Sequence, residues 1–315
     1  MFRKTQKSQS NNNRSIEPFL KWAGGKRQLI KQIDECLPLE FKNNSLQRYI
    51  EPFVGGGAVL FYIAQYYQIE EFFIFDINPE LIIAYKTIKN NVDDLLEILA
   101  KIETEYLFLN EEKRKEYFYQ TRSQFNNLRK QSNPNQIQIT ALLIFLNRTC
   151  FNGLFRVNSK GDFNVPCGKY KNPTICNSAN LKAVSNILQK THIQLGDFSE
   201  CQKYVNSKSF VYFDPPYKPI SKTSNFTAYA KDNFDDREQL RLRDFFTLLD
   251  RKGAKLMLSN SDADDGFFAN AYSEYSIKKV QARRNINSNA QKRGKINEIL
   301  IMNYSLDCDD GNKTK

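Results

Sequence analysis

The sequence predicts an α/β fold: a mostly parallel sheet of seven strands, covered by helices on both faces and interrupted by a mainly helical insertion. Three observations carry this. Seven short apolar runs recur along the 315 residues, helical patterns separate most of them, and a gap of about a hundred residues between the second and third runs carries helical patterns of its own. Strands that alternate with helices read as a parallel sheet, because each parallel return needs a crossover. A gap of that length is too long for a loop and predicts a second, smaller domain.

In chain order, residues 1–15 are rich in Asn, Gln, Ser and Lys and read as a disordered tail. The sheet domain takes residues 16–78 and 179–305, the insertion residues 79–178, and a flexible tail residues 306–315. The first strand is predicted over 48–53, followed by Gly55-Gly56-Gly57 and the helical "GGAVLFYIAQYY"; the second is predicted over 72–76. Inside the insertion, "PELIIAYKTIKNNVDDLLEILAKIE", "NEEKRKEYFYQTRSQFNNLRK" and "QIQITALLIFLNRTCF" carry helical patterns. "FNGLFRVNSKGDFNVPCGKY" then switches to turn chemistry and predicts a β-hairpin around 158–161. A helix in "NSANLKAVSNILQK" precedes a third strand at 192–198, and a fourth spans 210–214. "DDREQLRLRDFFTLLDRKG" reads as a helix stopped by Gly253, before a fifth strand at 255–259. The last two strands, 276–282 and 298–304, are joined by a polar loop without a helix and should pair antiparallel.

The net charge is +11, and from Lys278 to Lys295 the chain carries seven basic residues and no acid. A polyanion such as nucleic acid suits that surface, with Arg283 and Arg284 as a phosphate clamp. No apolar run approaches the roughly 20 residues of a membrane span, and the N-terminus lacks the apolar core of a signal peptide. The six cysteines are scattered without a C-x-x-C pair, which fits reduced thiols in a cytoplasmic protein. No ligand cluster points to a metal.

Two glycine-rich stretches suit a cofactor. "YIEPFVGGGAVLF" joins a strand, a tight turn and a helix, and Asp76 ends the next strand about twenty residues later, where an acid commonly meets a ribose hydroxyl. The loop is not G-x-G-x-x-G, and Glu51-Pro52-Phe53 places an acid and an aromatic beside it. A ligand with a ribose, an adenine and a positive charge but no phosphate fits better than a pyrophosphate. S-adenosyl-L-methionine has that character. The second stretch, "PFLKWAGGKRQLI", holds the sole tryptophan, Trp22, with Lys21 and Lys26.

The fourth strand runs into Asp214-Pro215-Pro216-Tyr217. Ligands in open α/β sheets bind beyond the carboxyl ends of the strands, where strand order reverses. The prolines hold the backbone rigid, so that the Asp214 carboxylate and the Pro215 carbonyl can face one point. Two acceptors at one point suit an exocyclic amine with two N–H donors, and Tyr217 offers a face on which a base stacks. Hydrogen bonds from both N–H groups would draw the amine toward a tetrahedral nitrogen able to attack a sulfonium methyl in line. A paired base would first have to leave the duplex.

"FLKWAGGK", "EPFVGGG", the Asp of "FDINPE", "GDF" and "DPPY", in that order, resemble the Dam/DpnII-type DNA adenine N6-methyltransferases in their α arrangement; "FNGLFRVNSKGDFNVPCGKY" and "RRNINSNAQKRGK" are similar to that family too. The resemblance implies a Rossmann-like S-adenosylmethionine-dependent methyltransferase sheet with a target-recognition domain as the insertion. It implies cofactor contacts at Trp22, Lys26, Phe53, Gly55, Asp76, Asp197, Phe198 and Asp214, and catalysis by Asp214, Pro215, Pro216 and Tyr217. Lys21, Arg156, Asn158 and Lys160 become candidates for DNA contact, with GATC in double-stranded DNA as the target. The same resemblance implies a prokaryotic, cytoplasmic protein held to the nucleoid through DNA. A restriction endonuclease would be a functional pair without stable binding, and the enzyme a monomer, with a dimer as the alternative.

Other acceptors also present two N–H donors: cytosine N4, RNA adenine and a protein glutamine amide. Cytosine-N4 enzymes usually place Ser, and glutamine enzymes Asn, where Asp214 stands. A nucleic-acid-binding relative without activity is the non-enzymatic alternative, and the intact Asp214–Tyr217 group speaks against it.

Overall fold

The computed structural model describes residues 15–218, 234–262, 265–283 and 295–306. Both expected tails lie outside these residues, apart from Ser15 and Leu306. Seven strands form one sheet: β1 (Arg48–Glu51), β2 (Glu71–Asp76), β3 (Thr191–Leu195), β4 (Ser209–Phe213), β5 (Lys255–Ser261), β6 (Ser276–Arg283) and β7 (Lys295–Met302). Their order is β3-β2-β1-β4-β5-β7-β6, with β7 antiparallel to both neighbours and the other pairings parallel. Strand order therefore reverses between β1 and β4, and the predicted fold class stands.

Period-two alternation sorts the side chains onto two faces. Tyr49, Phe72, Ile74, Phe210, Tyr212 and Leu300 enter one core cluster; Ile50, Phe73, Phe75, Val211, Phe213 and Ile301 enter the other. β4 is buried at every residue, as a central parallel strand must be. The helix Asp236–Asp250 covers the second face with Leu242, Phe245, Phe246 and Leu249. The helices Ala58–Tyr66 and Pro79–Asn90 cover the first, and behind them lie Val92–Phe108, Glu111–Leu128 and Gln136–Thr149. Phe118, Phe125 and Phe145 of that stretch share the first face's cluster, so the core runs without a break from the sheet into residues 79–178. Each such buried aromatic contributes on the order of 2–3 kcal/mol.

Element boundaries differ from expectation in several places, and β5 runs on to Ser261 while β7 ends at Met302. β1 stops at Glu51 instead of Phe53, because Pro52 has no N–H for the ladder; Val54 N–H meets β2 again at the Phe75 carbonyl, 3.0 Å away. β3 stops at Leu195 instead of Phe198, because Asp197 and Glu200 form a capping box that starts a 3₁₀ helix at Phe198. β7 begins at Lys295, inside the predicted polar loop, where it pairs with Arg283. The expected hairpin is a tight loop with isolated bridges, Val157 to Phe163 and Cys150 to Cys167, instead of two continuous strands.

Candidate active site

The Asp214 segment leaves β4 at the reversal point and is held from three sides. Gln239 Nε2 donates to the Pro216 carbonyl at 3.0 Å. Asn260 Oδ1 accepts the Lys218 N–H at 3.1 Å, and Ser261 Oγ donates to the Lys218 carbonyl at 2.6 Å. These partners come from the helix Asp236–Asp250 and from β5. Backbone groups that prolines and an irregular path leave without ladder partners are thereby satisfied. Pro215 is buried and Pro216 exposed.

Lys26 crosses from the N-terminal motif into this site. Its ammonium is 2.7 Å from Asp214 Oδ1, donates to the Gly24 carbonyl at 2.6 Å, and lies 4.5 Å from the Tyr217 ring centroid. Lys26 is 4% exposed, which a lysine tolerates only when paired. Burial raises Asp214 to about 6, against the pull of Lys26 and with a further push from Glu298. Glu51, 2% exposed at the end of β1, accepts from the Tyr49 hydroxyl at 2.7 Å, and burial pushes its carboxyl well up.

The glycine loop lies between Trp22 and Asp76. Gly55 (φ 46°) and Gly57 (φ 72°) occupy the left-handed region, and Gly57 caps the helix Ala58–Tyr66. Gly55 N–H donates to Asp76 Oδ2 at 3.0 Å, Asn78 N–H to Asp76 Oδ1 at 2.9 Å, and the Tyr85 hydroxyl to the Gly55 carbonyl at 3.0 Å. Burial raises the Asp76 carboxyl in spite of those donors. The Trp22 indole packs on Gly55 so closely that a Cβ there would meet its Cδ1 at 2.9 Å. Phe53 and Phe198 meet at 5.4 Å between ring centroids. Asp197 is held differently: Arg241 grips both its oxygens, at 2.9 and 2.8 Å, and holds its carboxyl far below the usual range. The Arg241 guanidinium also lies 4.0 Å above the Phe198 ring.

Among the described residues, no group of three or more His, Cys, Asp and Glu could hold a metal, and no helix is long and apolar enough to cross a membrane. A glycine loop with an acid at the next strand end, aromatic rings nearby and several carboxyls around Lys26 fits a cationic nucleoside such as S-adenosylmethionine.

Residues 147–164 bring the predicted DNA-facing group to the same edge. Asn147 accepts the Lys21 N–H at 2.8 Å and donates to the Lys21 and Gly153 carbonyls, both at 2.9 Å. Trp22 stacks on Phe155 with centroids 5.4 Å apart, so Arg156 follows directly on a residue that packs against Trp22. Lys21 Nζ lies 4.8 Å from the Tyr170 ring centroid. Arg156 is exposed and donates to Asn164 Oδ1 at 2.8 Å. Asn158 Oδ1 accepts the N–H groups of Lys160 and Asp162, both at 2.9 Å, and so builds the turn that presents Lys160. Arg129 supports the loop from behind, donating to Gly161 O at 2.7 Å and pairing with Glu80. Arg283 ends β6, and Arg284 lies outside the described residues.

Sequence reading missed Glu51 as a site residue, together with Gln239, Asn260 and Glu298. Glu51 had a signal, since it was visible beside the glycines; the other three had none local to the motif.

Residues 22–286 match the family described as D12 class N6 adenine-specific DNA methyltransferase. A protein of Methanocaldococcus jannaschii named Type II methyltransferase M.MjaIII is 53% identical over 290 residues, covering 92% of this chain and 99% of that protein. Type II methyltransferase M1.LlaDCHI of Lactococcus lactis subsp. cremoris is 38% identical, covering 93% and 97%. The DNA adenine methylase of Haemophilus influenzae is 34% identical, covering 90% and 93%.

Proposed function

Since the chain belongs to the D12 class N6 adenine-specific DNA methyltransferases, we propose that it methylates adenine N6 within GATC in double-stranded DNA, using S-adenosylmethionine and a base turned out of the duplex. The observation that carries the mechanism is the rigidly held Asp214–Tyr217 segment, with a buried cation on Asp214 and on the Tyr217 ring. The target adenine stacks on Tyr217, and its amine donates to Asp214 and to the Pro215 carbonyl. Both acceptors favour a nitrogen whose lone pair is free of the ring. Bound S-adenosylmethionine supplies the electrophilic methyl. Asp76, Gly55, Trp22, Phe53 and Phe198 hold the nucleoside. Asp197 is tied to Arg241, so its backbone is the group left for an adenine contact. Transfer is direct, without a covalent enzyme intermediate.

Residues 79–178 act as the target-recognition domain, with Arg156, Asn158 and Lys160 at the DNA and Lys21 beside them. Arg283 and Arg284 neutralise phosphates. Affinity for a duplex should then fall by about 10-fold between roughly 50 and 200 mM salt on those two contacts alone. Salt-insensitive binding would exclude the phosphate contacts. The names of the relatives, type II methyltransferases among them, support a role in protecting DNA from a paired restriction endonuclease. The enzyme acts as a monomer in the cytoplasm.

The ionised form of Asp214 accepts the amine protons, and its carboxyl titrates at about 6. Raising pH through that value increases the competent fraction, so kcat/KM climbs with pH below about 6 and levels above it. Lys26 favours the ionised form, so Lys26→Met moves this acidic limb to higher pH. A pH profile unchanged by the substitution would separate Lys26 from Asp214. Calorimetric titration with S-adenosylmethionine tests the cofactor itself: absence of binding would remove this mechanism.

A further inference from the structure

Glu298 lies on β7 and reaches past β5 to the segment that follows β4. The Tyr217 hydroxyl donates to its Oε2 at 2.5 Å. In the register of the sheet, Glu298 stands opposite Ser261, whose hydroxyl holds the Lys218 carbonyl. Tyr217 is thus fixed at its backbone by neighbours, at one ring face by Lys26, and at its phenol end by Glu298. The backbone contacts cannot stop the side chain from swinging about its Cα–Cβ bond; the phenol contact can, because a partly buried hydroxyl loses its partner when the ring swings away.

We propose that Glu298 is a positioning residue for methyl transfer: it holds the Tyr217 side chain in place so that the target base stacks against its ring with its amine at Asp214. This rests on Tyr217 being the stacking platform proposed above. A carboxylate costs more here than a neutral acceptor would, since it pushes Asp214 toward its neutral form, and that expense points to a role beyond filling space. The charged and titratable groups facing Asp214 are Lys26 from the N-terminal motif, Tyr49 and Glu51 from β1, Tyr212 and Tyr217 from its own strand and segment, and Glu298 from β7. Of these, Glu298 disfavours the charged form of Asp214 and Lys26 favours it.

The test compares Glu298→Ala, Glu298→Gln, Tyr217→Phe, Tyr217→Ala and the Glu298→Ala/Tyr217→Phe pair in the full chain, with single-turnover methylation of a duplex and calorimetry of S-adenosylmethionine. Glu298→Ala should lower the methylation rate by about 10- to 100-fold with cofactor affinity within about twofold. Glu298→Gln keeps an acceptor and should recover most of that rate, while its acidic limb moves to lower pH. The double variant should be no slower than the slower single one, because both remove one contact. Wild-type rate in Glu298→Ala, or losses that multiply in the double variant, would overturn the proposal. If Glu298→Ala fails to fold, Tyr217→Phe decides: it removes the same contact from the other side, and a wild-type rate there counts against the role. Full activity in Tyr217→Ala would remove the platform reading and the proposal with it, whereas failure of Glu298 alone leaves the platform standing.

Discussion

Replacing Asp214 with Ala should lower the rate of methyl transfer by about 10³-fold, while S-adenosylmethionine binding weakens far less. The carboxylate supplies charge at the point where the amine develops positive character, and removing such a preorganised acceptor typically costs about 10²–10³ in turnover. Its loss also strands the Lys26 ammonium, 4% exposed and 2.7 Å from Asp214 Oδ1 in the native protein. A stranded buried charge destabilises a fold by roughly 3–5 kcal/mol, which the Gly24 carbonyl at 2.6 Å partly offsets. The measurements are single-turnover transfer, calorimetry and urea unfolding on the same preparation. A variant that keeps more than about a tenth of the native rate would remove Asp214 from the chemistry.

A second large loss of stability should come from Gly57→Ala. Gly57 has φ 72°, and a Cβ on it would lie 2.5 Å from the Tyr85 hydroxyl and 3.0 Å from Phe61 Cε2. The left-handed backbone costs an alanine about 1–2 kcal/mol, and overpacking adds about 1–3 kcal/mol. Relief requires Tyr85 to move, and its hydroxyl is what holds the Gly55 carbonyl. Stability should therefore fall by about 3 kcal/mol in urea unfolding, with cofactor affinity lost alongside. Gly161→Ala is the comparison: φ is 80° there too, but nothing lies within 4 Å of an added Cβ. Its cost should stay near about 1 kcal/mol. Equal losses at both positions would mean that backbone strain alone, and not Tyr85, governs the loop.

The parts of the site that are continuous in sequence were legible before the structure. Asp214 to Tyr217 follow one another, and the Gly55 loop and Asp76 are separated by one helix; strand ends and glycine geometry announce such groups locally. The alternation of strands and helices announced the mostly parallel sheet. What stayed hidden is what the sheet brings from afar. Glu298 is 81 residues from Tyr217, Gln239 is 23 from Pro216, and Asn260 is 42 from Lys218. No local pattern marks a glutamate in a strand as the partner of a distant phenol. The strand ends were misplaced for a related reason: Asp197 caps a helix through Glu200, and a cap competes with strand propensity where both are possible. Arg241, which takes the Asp197 carboxylate, was likewise invisible, 44 residues away on the helix Asp236–Asp250.

The measurement that bears most directly on the central claim is the identity of the methylated nucleoside. The purified protein is incubated with labelled S-adenosylmethionine and two duplexes, one holding a single GATC and one with those four bases scrambled, and the DNA is digested to nucleosides. The account predicts label in N6-methyldeoxyadenosine from the GATC duplex, little from the scrambled one, and about 10³-fold slower labelling of the GATC duplex with the Asp214→Ala variant. Label in N4-methyldeoxycytidine, or equal label from both duplexes, would contradict it.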